Sequence, residues 1–155
     1  MLTDDKALAA AMAYVDLNPL RAKIANNVET SDHTSVQVRA EELRKSPEKA
    51  NDTLRAIVGL SVFRLPMTEA QYIELVDSTG RQIRPGKRGA IAESEPPALR
   101  RLGLDPDHWT GQVKGVGSAY WRIVGTAEAI MAKAEAIGQA WMKGIGYARW
   151  LERFL

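Results

Sequence analysis

Four cations fall within eight residues in Arg81-Gln82-Ile83-Arg84-Pro85-Gly86-Lys87-Arg88, with no acid among them. Pro85-Gly86 marks a turn, so the segment reads as a basic loop. Cations on such a loop reach several phosphates, and Gly86 and Gly89 let backbone amides approach closely. The competing reading is a solvated basic loop. The stretch from Gly80 to Arg88 is not a phosphate-cradling P-loop: the gap between Gly80 and Gly86 is one residue too long, and Arg88 stands where Ser or Thr would hold magnesium.

Tyr14 is the other group with chemistry to offer, because a phenol oxygen can attack a phosphodiester. Against that stands a half-buried aromatic that fixes the corner at Asn18. His33 could ligate a metal, but no other His, Cys or close carboxylate cluster accompanies it, so a turn histidine is the simpler account. His108 is far from His33, and the two do not pair by metal-site spacing. Trp109 reads as core rather than as a base-stacking platform.

Elements must position these groups. Thr3 can cap a first helix carrying Asp4 and Asp5 in its opening turn. Leu8, Ala11, Met12 and Val15 form its apolar stripe. Asn18 before Pro19 reads as an N-cap and corner, followed by a short helix with Arg21 and Lys23. Thr34 with Gln37 fits a capping box for a helix from Ser35 towards Lys45, with Val36, Ala40 and Leu43 inward. Ser46 to Asn51 is a polar linker. Leu54 to Leu65 is ambiguous in period and is read as helix, then extended turn. Thr68 caps a helix that Gly80 ends. Asp105-Pro106 starts another, which Gly111, Gly115 and Gly117 should keep short. Thr126 caps a last long segment striped by Ile130, Ala134, Ile137 and Trp141. The expected fold class is mainly α, a bundle of about six or seven short helices with few or no strands.

Composition narrows the classes. A hydrophobic share of 45% can supply a core, and a net charge of +2 is no polycation. The sequence pI near 9.0 is compatible with nucleic acid. The absence of cysteine excludes disulfides and thiolate zinc sites. No apolar run approaches the roughly 18 residues of a membrane span. The expectation is a cytoplasmic protein with no membrane partner.

Tyr14-Val15-Asp16-Leu17-Asn18-Pro19-Leu20-Arg21-Ala22 resembles the Tyr-x-x-x-Asn-Pro-x-(Arg/Lys)-Ala signature of the HUH single-tyrosine transposases of the REP-associated type. Ser31-Asp32-His33-Thr34-Ser35, Tyr72 to Arg81, Lys87-Arg88-Gly89 and Pro96 to Gly103 follow in matching order. Ser78 departs from the pattern, where tryptophan is expected. The resemblance implies DNA transposition, with strand cleavage and rejoining through a phosphotyrosine aided by Mg²⁺ or Mn²⁺. The family's histidine pair and nucleophile lie upstream of the signature. The chain is therefore expected to be a C-terminal part, holding no metal cofactor of its own. Residues 1–30 would be the terminal helices of the catalytic domain and 31–155 its helical extension. The expected partner is DNA, including single-stranded hairpin ends, met by Arg21, Arg81, Arg84, Lys87 and Arg88. A homodimer through the first helix's stripe is a further expectation. Two alternatives stand beside this: a helical protein-interaction module with no nucleic-acid role, and an active transposase using Tyr14 with metal ligands from another chain.

Overall fold

The computed structural model describes Leu2, 4–58, 61–83, Leu99, Gly103, 105–120 and 123–154. The fold is mainly α. Its contacts divide it into a central unit, Val15–Gly103, and a terminal unit made of Met1–Tyr14 and Leu104–Leu155.

Helix α1 (Asp5–Asp16) opens with Asp4, whose Oδ1 accepts the Ala7 amide at 2.8 Å. This side chain makes the cap bond expected of Thr3, which lies outside the described residues. The buried face of α1 is Ala7, Ala9, Ala10 and Ala13, all fully buried, with Leu8 beside them. That corrects the proposed stripe: Ala11 and Met12 are half-buried and Val15 is 64% exposed. Alanine is the best helix former and lets neighbours come close, so small residues rather than large ones define the inward face.

In the central unit, α2 (Asn18–Arg21) follows at once. Leu17, not Asn18, holds the N-cap position, in right-handed helical conformation and without a side-chain cap bond. Asn18 lies within α2, so the chain turns with less of a break than Asn-Pro suggested. Lys23 at φ 59° ends α2, and the Ile24 and Ala25 amides both donate to the Pro19 carbonyl. A 3₁₀ turn, Val28–Thr30, is closed by Asn27 and Thr30 capping each other. Helix α3 (Ser35–Lys45) starts where expected, with Thr34 Oγ1 accepting the Gln37 amide at 3.4 Å. The Gln37 side chain donates to Asp32 and to the Glu29 carbonyl. The presumed linker holds a 3₁₀ turn, Pro47–Asn51, within this unit.

The segment read as helix is a hairpin. Strands β1 (Thr53–Val58) and β2 (Ser61–Thr68) pair antiparallel, with Arg55 opposite Arg64 and Val58 opposite Ser61. Leu54 and Ala56 on β1 are buried, as are Leu65 and Met67 on β2. Arg55, Arg64 and Pro66 between them are exposed. This period of two is a half-buried strand pattern. Helix α4 (Glu69–Ile83) begins with a reciprocal cap: Thr68 Oγ1 accepts from Gln71 N and Gln71 Oε1 from Thr68 N. It does not stop at Gly80. Gly80 is buried inside it, and a Cβ there would stand 3.0 Å from the side chains of both Leu17 and Leu20.

In the terminal unit, Asp105 caps α5 (Pro106–Val116), accepting the Asp107 and His108 amides. Gly111 and Gly115 do not shorten α5, because close packing repays them. Cβ atoms there would strike Leu151 and Tyr147, respectively. Thr126 caps α6 (Ala127–Ala136), and Glu152 Oε1 accepts the Ala127 amide at 2.7 Å. Gly138 at φ 70° follows the end of α6, so the long stripe breaks: Ile130 and Ala134 are buried while Ile137 and Trp141 are exposed. Helix α7 (Ile145–Leu151) closes the unit. Tyr147 meets Tyr120 edge-on at 5.3 Å and stacks on Trp150 at 5.6 Å. No helix among the described residues is long and apolar enough to cross a membrane.

Candidate functional site

The central unit is built around a carboxylate that the sequence reading did not single out. Asp16, the last residue of α1, is 1% exposed. Its Oδ1 accepts the backbone amides of Ser35 at 2.8 Å and Val36 at 3.2 Å. Ser35 Oγ lies within 3.0 Å of both carboxylate oxygens. Tyr72 OH donates to Oδ2 at 2.6 Å. Ser35 and Val36 are the first residues of α3, whose amides have no partner within the helix. Asp16 thus caps α3 from a distance, its negative charge set at the positive helix end.

Tyr72 is fully buried on α4, and burial, then the Asp16 carboxylate, raise its pKa well above 10.0. It stays protonated, which suits a structural donor and not a nucleophile. Arg39 on α3 passes over the Tyr72 ring with its guanidinium carbon 5.8 Å from the centroid. The same guanidinium pairs with Glu69 on α4 and donates to the Arg55 carbonyl on β1 at 2.8 Å. Arg39 therefore ties α3, α4 and β1 together. Both Asp16 and Tyr72 lie inside the motif segments; a carboxylate between Val15 and Leu17 was the available signal.

The cationic residues have a definite setting where they are described. Arg21 is exposed at the end of α2. Arg81 is exposed on α4, not on a loop, and bridges to Asp77 one turn earlier. The close approach of Gly80 to Leu17 and Leu20 brings the segments carrying Arg21 and Arg81 together. Arg84, Lys87 and Arg88 lie outside the described residues. His33 is exposed in a turn at φ 66°.

In the terminal unit, Tyr14 is half-buried, and its ring covers Gly117: a Cβ at Gly117 would collide with the ring and its hydroxyl. Trp109 is 1% exposed and belongs to the core. His108 is buried beside it, with its pKa lowered by burial and then by the charge of Lys6. Among the described residues, no group of three or more His, Cys, Asp or Glu is placed to hold a metal ion. No known family's sequence model, no curated protein and no solved structure matches this chain.

Proposed function

We propose that this chain is a DNA-binding relative of the C-terminal part of HUH single-tyrosine transposases, one that does not cleave strands by itself. The observation that carries the reading is the seat of Gly80 against Leu17 and Leu20. It sets the signature segment, which carries Arg21, beside the end of α4, which carries Arg81; Arg84, Lys87 and Arg88 follow in the sequence. Cations from two separated motifs would then act on one stretch of phosphate backbone. Tyr14, the one candidate nucleophile, has a packing role over Gly117 that accounts for its ring.

The test is anisotropy with hairpin-bearing single strands across a salt series, comparing the natural chain with a quadruple Arg81, Arg84, Lys87 and Arg88 to Ala variant. Each lost contact removes about 0.7 from the log–log salt slope on single strands, so the variant should flatten it by up to roughly 3. Unchanged affinity and slope would exclude the segment. A covalent adduct formed with Mn²⁺ and abolished by Tyr14→Phe would overturn the non-cleaving part.

A second reading, a protein-interaction module, draws on the terminal unit. Met131, Ile137 and Trp141 are 45%, 49% and 65% exposed, and Met131 lines an open groove with Ile145. It would be favoured by a purified chain that ignores nucleic acid at low salt.

A further inference from the structure

The terminal unit holds a cleft of about 290 Å³ lined by both His108 and Gln112, one turn apart on α5. His108 is 7% exposed and Gln112 4%. His108 Nδ1 and Gln112 Oε1 are both buried and without a hydrogen-bond partner. The Leu151 backbone acts on the imidazole and raises its pKa, while Nδ1 has no hydrogen-bond partner. With the pKa lowered, the ring is neutral near pH 7, and in the tautomer protonated at its other nitrogen Nδ1 is an acceptor. Two neighbouring acceptors therefore lack donors. Each lost its water on folding, a cost that a native fold rarely leaves uncompensated.

Charge around the cleft selects the donor. Asp4, Glu128 and Glu152 line it against one cation, Lys6. Lys6 lies near enough to depress the imidazole but supplies a proton to neither acceptor. The carboxylate-bearing residues Asp4 and Glu128 are exposed, whereas the two acceptors are buried, so the mouth is acidic and the base accepts hydrogen bonds.

We propose that this cleft binds small primary ammonium compounds, with the –NH₃⁺ group donating to His108 Nδ1 and Gln112 Oε1 and its charge offset by the acidic mouth. An ammonium group has three donors and no acceptor, which matches two orphaned acceptors inside a carboxylate rim. An anion would meet three carboxylates around the cleft against the single cation Lys6. The inference does not rest on DNA binding.

The chain has two histidines, so ring NMR signals of His108 can be read against His33 as an internal control. The full chain is titrated at constant pH and ionic strength with methylammonium, putrescine, tetramethylammonium and acetate. Methylammonium and putrescine should shift His108 saturably and leave His33 unmoved, putrescine binding more tightly through its second charge. Tetramethylammonium, which has no N–H, should not saturate. Lys6→Met should tighten ammonium binding by removing the competing cation. Gln112→Leu should weaken it about tenfold, the worth of one hydrogen bond. If Gln112→Leu does not fold, the comparison of methylammonium with tetramethylammonium in the natural chain decides. The proposal is overturned by an equal response to tetramethylammonium, by saturation with acetate, or by no saturation up to roughly 100 mM ammonium. The last result would mean that water alone bridges the acceptors.

Discussion

The Tyr72 hydroxyl donates to Oδ2 of Asp16 at 2.6 Å, across 56 residues of chain. Through this bond the end of α1, the start of α3 and the middle of α4 share one buried carboxylate. Tyr72→Phe removes one donor to a charged acceptor and should cost about 1.5–3 kcal/mol. Asp16→Ala should cost more, about 3 kcal/mol or above, because it strands the Tyr72 hydroxyl and two α3 amides together. The two losses should not add, since each removes the same bond. Urea midpoints at constant slope measure all three. A Tyr72→Phe cost below about 0.5 kcal/mol would show that the bond contributes little beyond packing.

Much of the helical fold was legible in the sequence, and the failures have physical causes. The caps Thr34, Thr68, Asp105 and Thr126 each begin a helix where read, because a side-chain oxygen three residues ahead of an orphan amide is a local signal. Gly80, Gly111 and Gly115 misled. Glycine weakens a helix intrinsically, but here its missing side chain admits Leu17 and Leu20, Leu151, and Tyr147, and packing outweighs propensity. Leu54 to Leu65 is ambiguous in period and reads as helix, then extended turn, yet exposed Arg55, Arg64 and Pro66 alternate with buried Leu54, Ala56, Leu65 and Met67, the pattern of the hairpin. The Asp16 site could not be read from spacing at all. Its partners lie 19, 20 and 56 residues away, and only the fold joins them.

Alkaline pH should expose the same site. The folded pKa of Tyr72 is raised well above the ordinary 10.0 by burial first and Asp16 second. Below pH 10 the phenol is neutral in both folded and unfolded chains, so its contribution is fully present. Above pH 10 the unfolded chain loses the proton first, and stability falls as pH rises towards the folded pKa. The expected slope is about 1.4 kcal/mol per pH unit for one such group. Tyr72→Phe should therefore be less stable at neutral pH but lose stability less steeply above pH 10. Parallel curves for the two chains would contradict the assignment.

Tyr14 and Gly117 can be tested as a packed pair within the terminal unit. Gly117 has φ −92°, which any residue adopts, so the obstacle to a side chain there is steric, with the Tyr14 ring nearest. Gly117→Ala should cost about 1–3 kcal/mol by overpacking. Adding Tyr14→Ala removes the obstacle, so the double variant should be more stable than the sum of the two single losses predicts. Strict additivity in thermal or urea unfolding would show that the ring does not rest on Gly117.

Acid should unfold the terminal unit through His108. Its folded pKa lies below the ordinary 6.5, chiefly from burial and then from Lys6, although Leu151, Asp105 and Glu152 act in the opposite sense. Above pH 6.5 the imidazole is mostly neutral in both states, and its contribution is intact. As pH falls below that, the unfolded chain takes up the proton while the folded chain resists, so unfolding gains free energy until the folded pKa is passed. Stability should thus decline from pH 7 to pH 5 with a component that His108→Gln abolishes. Lys6→Met removes one of the two causes of the lowering, so it should make the decline shallower without abolishing it. Urea unfolding of the three chains at pH 5 and pH 7 checks this order. If His108→Gln loses as much stability on acidification as the natural chain, the acid response belongs to other groups, and His108 accepts a proton in the folded state without penalty.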